Sequence, residues 1–326
     1  MRFREYRASA AEPNVVIDGS PNAGTVLTLT HWPGIAQPPG FEADLSAEMA
    51  LRYVRTGGPV DARVVTNNHF DQDGLVGVFA FVDPDAALAH EALLADVAAA
   101  GDFGTYRSRA AARASMTIWA YSEPGRSPIG GQLVGSEDEQ CALLYEATLP
   151  LLLSMVLEPE HFSDLWAEED ERLTATEAAL ASGTITIEER PAVDLAVVRI
   201  APDEPHRPGH RFTSNAQRGQ AHPMALNNAT QCVRLIEISG RSYTYTDRYE
   251  TWVQYRRRRP LPRVDLRPLA DILTALDSGD PWTADPPGSL TPTLRSPSES
   301  RLDEASVLAE LERHLREAPP AWMPYL

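Results

Sequence analysis

The stretch Arg63-Val-Val-Thr-Asn-Asn-His-Phe-Asp-Gln-Asp-Gly-Leu-Val-Gly-Val-Phe-Ala-Phe-Val82 decides the fold. Val64-Val65-Thr66 reads as a buried strand, and a turn carries His69, Asp71 and Asp73. An apolar helix then opens at Gly74 and runs to Val82. In a parallel sheet, ligands gather where strands end and helices begin, and a helix N-terminus favours anions nearby. Imidazole with carboxylate and no thiolate suits Mn2+ or Mg2+, with zinc or iron as further options. A calcium loop of the EF-hand kind needs an acid at its twelfth position. Counting from His69 or Asp71 reaches Ala80 or Val82, inside the apolar helix, so that reading fails. Turn chemistry explains one Asp and the Gly, but not His69 and two acids in register.

Outward from this stretch, Asn14 to Asp18 and Thr25 to His31 read as two short buried strands ending in polar residues. Asp44 reads as the N-cap of a helix running to about Arg55, with a place in the site as the alternative. Ala86 to Ala100 and Arg107 to Tyr121 follow as helices, and Pro124 to Gly135 as a loop. Strands alternating with helices argue for a mainly parallel α/β sheet. Glu137 to about Ala181 reads as two connecting helices, one apolar through Leu157 and one acidic from Pro159. Beyond them, Thr184 to Glu188, Leu195 to Ile200, Cys232 to Ser239 and Tyr243 to Tyr255 read as strands. Pro202 to Gln220, with His206 and His210, reads as a mobile loop. Leu266 to Leu276 and Leu302 to Leu315 read as helices, and Asp280 to Ser298 as irregular. The expected plan is an α/β metal-binding lobe over residues 1–136, a helical connector over 137–182 and a smaller α+β lobe over 183–326.

Composition narrows the chemistry. A 326-residue chain with 43% hydrophobic and 23% charged residues is globular rather than disordered. A net charge of −17 argues against general nucleic-acid binding. All 29 basic residues are arginine, so a lysine Schiff base and a Walker-type phosphate loop are both excluded. Two cysteines rule out a disulfide framework or a cysteine-rich zinc site. The longest apolar run, Leu149 to Leu157, is far short of the roughly 20 residues that span a bilayer, and the N-terminus shows no secretory signal. A cytoplasmic location without membrane contact is the expectation. From Arg241 to Arg267, eight arginines face Asp247, Glu250 and Asp265. Such a concentration reads either as a phosphate clamp or as a charge-protected edge strand.

His69-Phe-Asp71-Gln-Asp73-Gly74, after a strand and before an apolar helix, resembles the first motif of the DHH phosphoesterase superfamily. Members bind two Mn2+ ions between an α/β lobe and a smaller C-terminal lobe, and hydrolyse phosphoester or phosphoanhydride bonds. Gly101-Asp102 is similar to their second motif, and the stretch from Arg248 through the helix near Leu276 resembles their substrate-binding lobe. No Asp-His-His occurs, and Phe103 to Glu160 contains no His. As a whole the chain looks like a bacterial family of unknown function related to this superfamily.

The resemblance implies His69, Asp71, Asp73 and Asp102 as ligands of Mn2+, with Mg2+ as the alternative. His31, at a neighbouring strand exit, is the preferred replacement ligand; Asp18 reads equally well as a turn former. Asn68 is expected to bind phosphate or fix the turn, and Arg248 and Arg263 to meet phosphate. The expected function is hydrolysis of phosphoester bonds in a small nucleotide or short oligonucleotide by metal-bound water. A non-catalytic nucleotide- or metal-binding regulator with a degenerate site is the alternative.

Overall fold

The computed structural model describes residues 1–201, 221–278 and 281–325. The expected loop with His206 and His210 lies outside the described residues. The chain divides into two compact units: Met1–Glu171 with Tyr255–Arg257, and Arg172–Gln254 with Arg258–Tyr325. The expected boundaries stand at residues 136 and 182.

In the first unit, β1 (Arg2–Phe3), α1 (Tyr6–Ser9), β2 (Asn14–Ile17), β3 (Thr25–Leu29), α2 (Ser46–Thr56), β4 (Val64–Thr66) and α3 (Gln72–Val82) come first. Helices α4 (Pro84–Ala89), α5 (Glu91–Asp102), α6 (Arg109–Ser122), α7 (Glu137–Thr148) and α8 (Leu152–Leu157) follow, and α9 (Ser163–Ser182) carries the chain into the second unit. The sheet has the order β1-β4-β2-β3, and every pair in it is parallel. Val15, Val16, Ile17, Val64 and Val65 have no exposed surface, as continuous β-branched runs do in strands covered on both faces. Helix α3 packs with α2 and α5 and is buried from Gln72 to Phe81. Gly77 permits this, because a Cβ there would sit 2.4 Å from Ile17 Cγ2.

Helix α3 begins at Gln72, two residues before the expected Gly74, because Asp71 caps it: Asp71 Oδ1 accepts from Gly74 N at 2.8 Å. Asp44 is not the cap of α2. That position belongs to Leu45, while Asp44 Oδ1 accepts from the backbone N–H groups of Arg256 and Arg257 at 2.6 and 2.9 Å. The helical stretch Glu137–Leu157 is long and apolar enough to cross a membrane by length and composition, although half of its most apolar part is buried inside the fold. The shorter run Leu149–Leu157 is therefore not the measure of it. A 3-10 turn at Leu149–Leu151 separates α7 from α8.

The second unit is built on β5 (Ile185–Arg190), β6 (Leu195–Ile200), β7 (Arg234–Ser239), β8 (Ser242–Asp247), β10 (Thr283–Ala284) and β11 (Thr293–Arg295). Their order is β10-β11-β8-β7-β6-β5, antiparallel throughout except for the pair β6 and β7. A parallel pair needs a crossover, and α10 (Pro223–Ala229) lies between those two strands in the chain. Strand β9 (Arg263–Val264) pairs with β12 (Pro320–Trp322). Alternation sorts the sheet into two cores. Val197, Ile236 and Tyr243 pack with α11 (Arg267–Asp277) and α12 (Glu304–Glu317), while Ala196, Val198 and Leu235 pack with Ala179 and Leu226.

Two expectations fail here. The strand expected over Tyr243 to Tyr255 ends at Asp247, because Tyr249–Thr251 forms a 3-10 turn tied by Thr251 Oγ1 donating to Arg248 O. The segment expected to be irregular over Asp280 to Ser298 supplies β10 and β11.

Candidate metal centre

Strands β4, β2 and β3 lie side by side in that order, and the residues just past their C-terminal ends converge. Asp18 follows β2, the middle strand, and adopts the left-handed conformation with φ of 50°. Asp tolerates that region better than most residues. From this central position its two oxygens reach both neighbours. Oδ2 lies 3.1 Å from His69 Nε2 on the β4 side, and Oδ1 lies 3.4 Å from His31 Nε2 on the β3 side.

Around His69 Nε2, Asp71 Oδ2 completes one group at 2.9 Å. Around His31 Nε2 stand Asp102 Oδ2 at 3.4 Å, from the end of α5, and Asp73 Oδ2 at 3.9 Å. Two sets could each hold a cation, Asp18 with His31 and Asp73, and Asp18 with His69 and Asp71; within each set the ligand atoms lie within 4.8 Å of one another. Asp18 belongs to both. The structure thus brings His31, His69, Asp71, Asp73 and Asp102 together, and adds Asp18 as their shared member.

The cluster is buried, with side-chain exposures of 0% for His31 and Asp73 and 1% for Asp18, and opens at His69, where the value is 30%. Trp32 lies over the His69 ring at 5.1 Å between centroids. The N-terminal turns contribute twice. Asp71 caps its own helix, and Asp73 accepts at 2.8 Å from Ser46 N and from Ala47 N, the first turn of α2. Ser46 Oγ also donates to Asp18 Oδ1 at 2.8 Å.

The electrostatics follow from packing acids against acids in a dry place. Burial first, and then the charges of Asp18 and Asp71, push the Asp73 pKa well above the usual carboxylate range, against the N–H groups of Ala47 and Ser46. Burial disfavours a charged imidazole at His69, but Asp71 and Asp18 outweigh it and raise the pKa to about 10.

The donor set fits a divalent cation. His31 Nδ1 lies 2.5 Å from the carbonyl of Asp44, and a carbonyl can only accept, so Nδ1 carries the hydrogen. The lone pair of a neutral His31 then sits on Nε2, facing the carboxylates. A hydrogen-bonded second nitrogen of this kind is the usual mark of a metal-ligating imidazole. Oxygen and imidazole donors without sulfur match the hard cations, with Mn2+ and Mg2+ foremost.

The expected phosphate-binding residues stand elsewhere or are engaged. Asn68 fixes the turn, its Oδ1 accepting from Ser20 N at 3.0 Å. Arg248, in the second unit, is buried against Glu250 at 2.5 Å. Arg263 has no exposed surface; it donates to Thr251 Oγ1 at 2.6 Å and to the carbonyls of Pro287, Ser289 and Leu290 at 2.5–2.9 Å. Strand order is the signal that the sequence reading lacked for Asp18. Met by itself, Asp18-Gly19-Ser20-Pro21 is indistinguishable from an ordinary turn.

Fold and site together define an α/β protein with a buried carboxylate–imidazole cluster at the exits of a parallel sheet. The chain belongs to a family of unknown function, DUF6687, whose model matches residues 1–326. No curated protein matches it. Among solved structures, RecJ from Thermus thermophilus in complex with Mn2+ is similar over 98% of this chain at 14% identity, with a TM-score of 0.27. The chain spans 47% of that protein's length.

Proposed function

We propose that the protein is a metal-dependent hydrolase of phosphoester bonds, acting on a small phosphorylated molecule such as a nucleotide or short oligonucleotide, with Mn2+ as the working cation. The observation that supports this reading is the position of Asp18 between two imidazoles, which lets one carboxylate serve two neighbouring cation sites. When bound, a pair of divalent cations supplies Lewis acidity for a phosphoryl group and lowers the pKa of water.

The chain's own residues prepare the place. Asp18 Oδ1 and Oδ2 divide between the two groups. Asp44 holds the His31 ring so that Nε2 faces Asp18 and Asp102. Ser46 and Ala47 hold Asp73 through both of its oxygens and leave further lone pairs for a cation. His69 is the most open member and marks the side from which substrate approaches, while Trp32 shields one face of its ring from water. In the cation-free protein a proton resides on His69 Nε2 between Asp71 and Asp18, and loading the site requires that proton to leave. No substrate role is placed on Arg248 or Arg263, whose guanidinium groups have internal partners.

The test pairs metal analysis of the purified protein with Mn2+-dependent hydrolysis of short dinucleotides and a generic phosphodiester. Metal held by the parent protein, with turnover that Asp18→Asn abolishes, supports the proposal. The absence of both metal and turnover sinks it. Metal binding without turnover favours the second reading, a metal-binding regulator; the helix-capping duties of Asp71 and Asp73 give those acids a structural purpose in that case.

A further inference from the structure

We propose that Asn67 and Tyr145 form a strut that sets the position of the His69–Asp71 turn, making Tyr145 of α7 a positioning residue for the cation site. The inference rests on the reading of His69 and Asp71 as ligands. Asn67 is nearly devoid of exposed surface and works in two directions. Its Oδ1 accepts from the backbone N–H of His69 at 3.3 Å, and its Nδ2 donates to Tyr145 Oη at 3.0 Å, across 78 positions of sequence. Tyr145 is fully buried. Its ring stacks on Phe3 at 4.7 Å and stands edge-to-face with Phe70 at 5.3 Å between centroids. Phe70 is the residue between His69 and Asp71, so the ring and the hydroxyl of Tyr145 hold the turn at two points.

Gly74 shows how closely the strut and the ligand turn are fitted. A Cβ at Gly74 would lie 2.3 Å from Asn67 Nδ2, 2.6 Å from Tyr145 Oη and 3.2 Å from Asp71 Oδ1. The first turn of α3, the capping oxygen of Asp71 and the Asn67–Tyr145 hydrogen bond therefore occupy one tight space. A methyl group there would push them apart. The hydrogen bond to Asn67 uses the hydroxyl of Tyr145, whereas the contacts with Phe3 and Phe70 use its ring. Removing the oxygen leaves Asn67 Nδ2 buried without that acceptor, free to rotate away from the orientation in which Oδ1 serves His69 N.

Two full-length variants separate positioning from packing. Tyr145→Phe keeps the ring between Phe3 and Phe70 and removes only the oxygen. Phe3→Leu loosens the stack and keeps the hydrogen bond. Hydrogen exchange by mass spectrometry, in protein stripped of metal, reads the segment 66–74. Titration with Mn2+ alone reads the site. For Tyr145→Phe the expectation is faster exchange confined to that segment and Mn2+ affinity lowered by up to about 10-fold, the low end of what loss of a partner bonded directly to a ligand costs, since Tyr145 acts through Asn67. For Phe3→Leu the expectation is a lower Tm with both readouts as in the parent. Unchanged exchange in Tyr145→Phe overturns the strut. Equal effects of the two variants also overturn it, by showing mere packing. Faster exchange in Tyr145→Phe together with a parent protein that binds no Mn2+ upholds the strut and overturns the proposed function instead.

Discussion

Both units bury charge, and they treat it in opposite ways. In the second unit the buried guanidinium groups among the described residues meet acceptors of their own chain. Arg234 faces Asp247 at 3.5 Å and donates to the carbonyls of Val193 and Pro262. Arg248 has Glu250, and Arg263 has a hydroxyl and three carbonyls; burial still draws the Arg263 pKa down to about 10. In the first unit the partners of Asp18 and Asp73 are imidazole, hydroxyl and backbone N–H rather than guanidinium. Around these three arginines the second unit closes its electrostatics within the chain, although burial with no compensating charge lifts the Glu237 pKa to about 7. The first unit gathers negative groups into a space that a small cation would complete. A buried charge with its partner is a fastener; a buried charge crowded by its own kind is a receptor.

The sharpest way to break this contrast is Arg234→Met. It removes the cation opposite Asp247, which keeps the Tyr245 hydroxyl at 2.9 Å, and is expected to cost about 3 kcal/mol in urea unfolding, with Mn2+ affinity unaffected. A fall in Mn2+ affinity would show that the two charge systems are not separate. Next is Asp18→Asn, expected to weaken Mn2+ binding by more than about a hundredfold, beyond what an outer-sphere partner delivers, when followed by calorimetric titration. Retained affinity would remove Asp18 from the ligands.

The pH dependence comes third, and its sign is fixed by both raised pKa values. Folded protein without cation holds more protons than unfolded protein, since His69 titrates near 10 rather than 6.5 and Asp73 well above 3.8. Its stability is therefore expected to fall as pH rises from about 6.5 towards 10. Mn2+ binding should tighten over the same interval as the His69 proton is displaced. Thermal unfolding across pH, with and without Mn2+, checks both slopes. The smallest effect is expected of Asn68→Ala, which loses one hydrogen bond to Ser20 N and about 1 kcal/mol while leaving Mn2+ affinity alone; a large drop there would return Asn68 to the site.

How much of this was legible in the sequence depends on the range of the interaction. The strands at Asn14, Thr25 and Val64 and the turn with His69, Asp71 and Asp73 are written in local patterns of β-branched residues, polar strand ends and glycine. His31 could be named because it stands at a strand exit, and Asp102 through the likeness of Gly101-Asp102 to a phosphoesterase motif. Asp18 could not be ranked, because its importance comes from β2 lying between β3 and β4, and neighbour order in a sheet has no local signature. The same holds for Tyr145, which touches the turn from a helix far along the chain. The arginines show the converse limit. Composition reveals eight of them between Arg241 and Arg267, but not that Arg263 spends its nitrogens on backbone carbonyls.

Asp73 carries one last consequence, for how variants of this family can be interpreted. Its two oxygens receive two separate backbone N–H groups at the start of α2. An asparagine there would keep one acceptor and set an NH2 group against the other N–H. At positions 18 and 71 an asparagine could still accept from Ser46 Oγ and from Gly74 N, so those sites can lose charge and keep their architecture. At position 73 chemistry and architecture cannot be varied apart. An inactive Asp73 variant would report a displaced helix as readily as a missing ligand, whereas Asp18→Asn or Asp71→Asn can keep its helix contact and changes instead the carboxylate that faces His69 Nε2 and the cation.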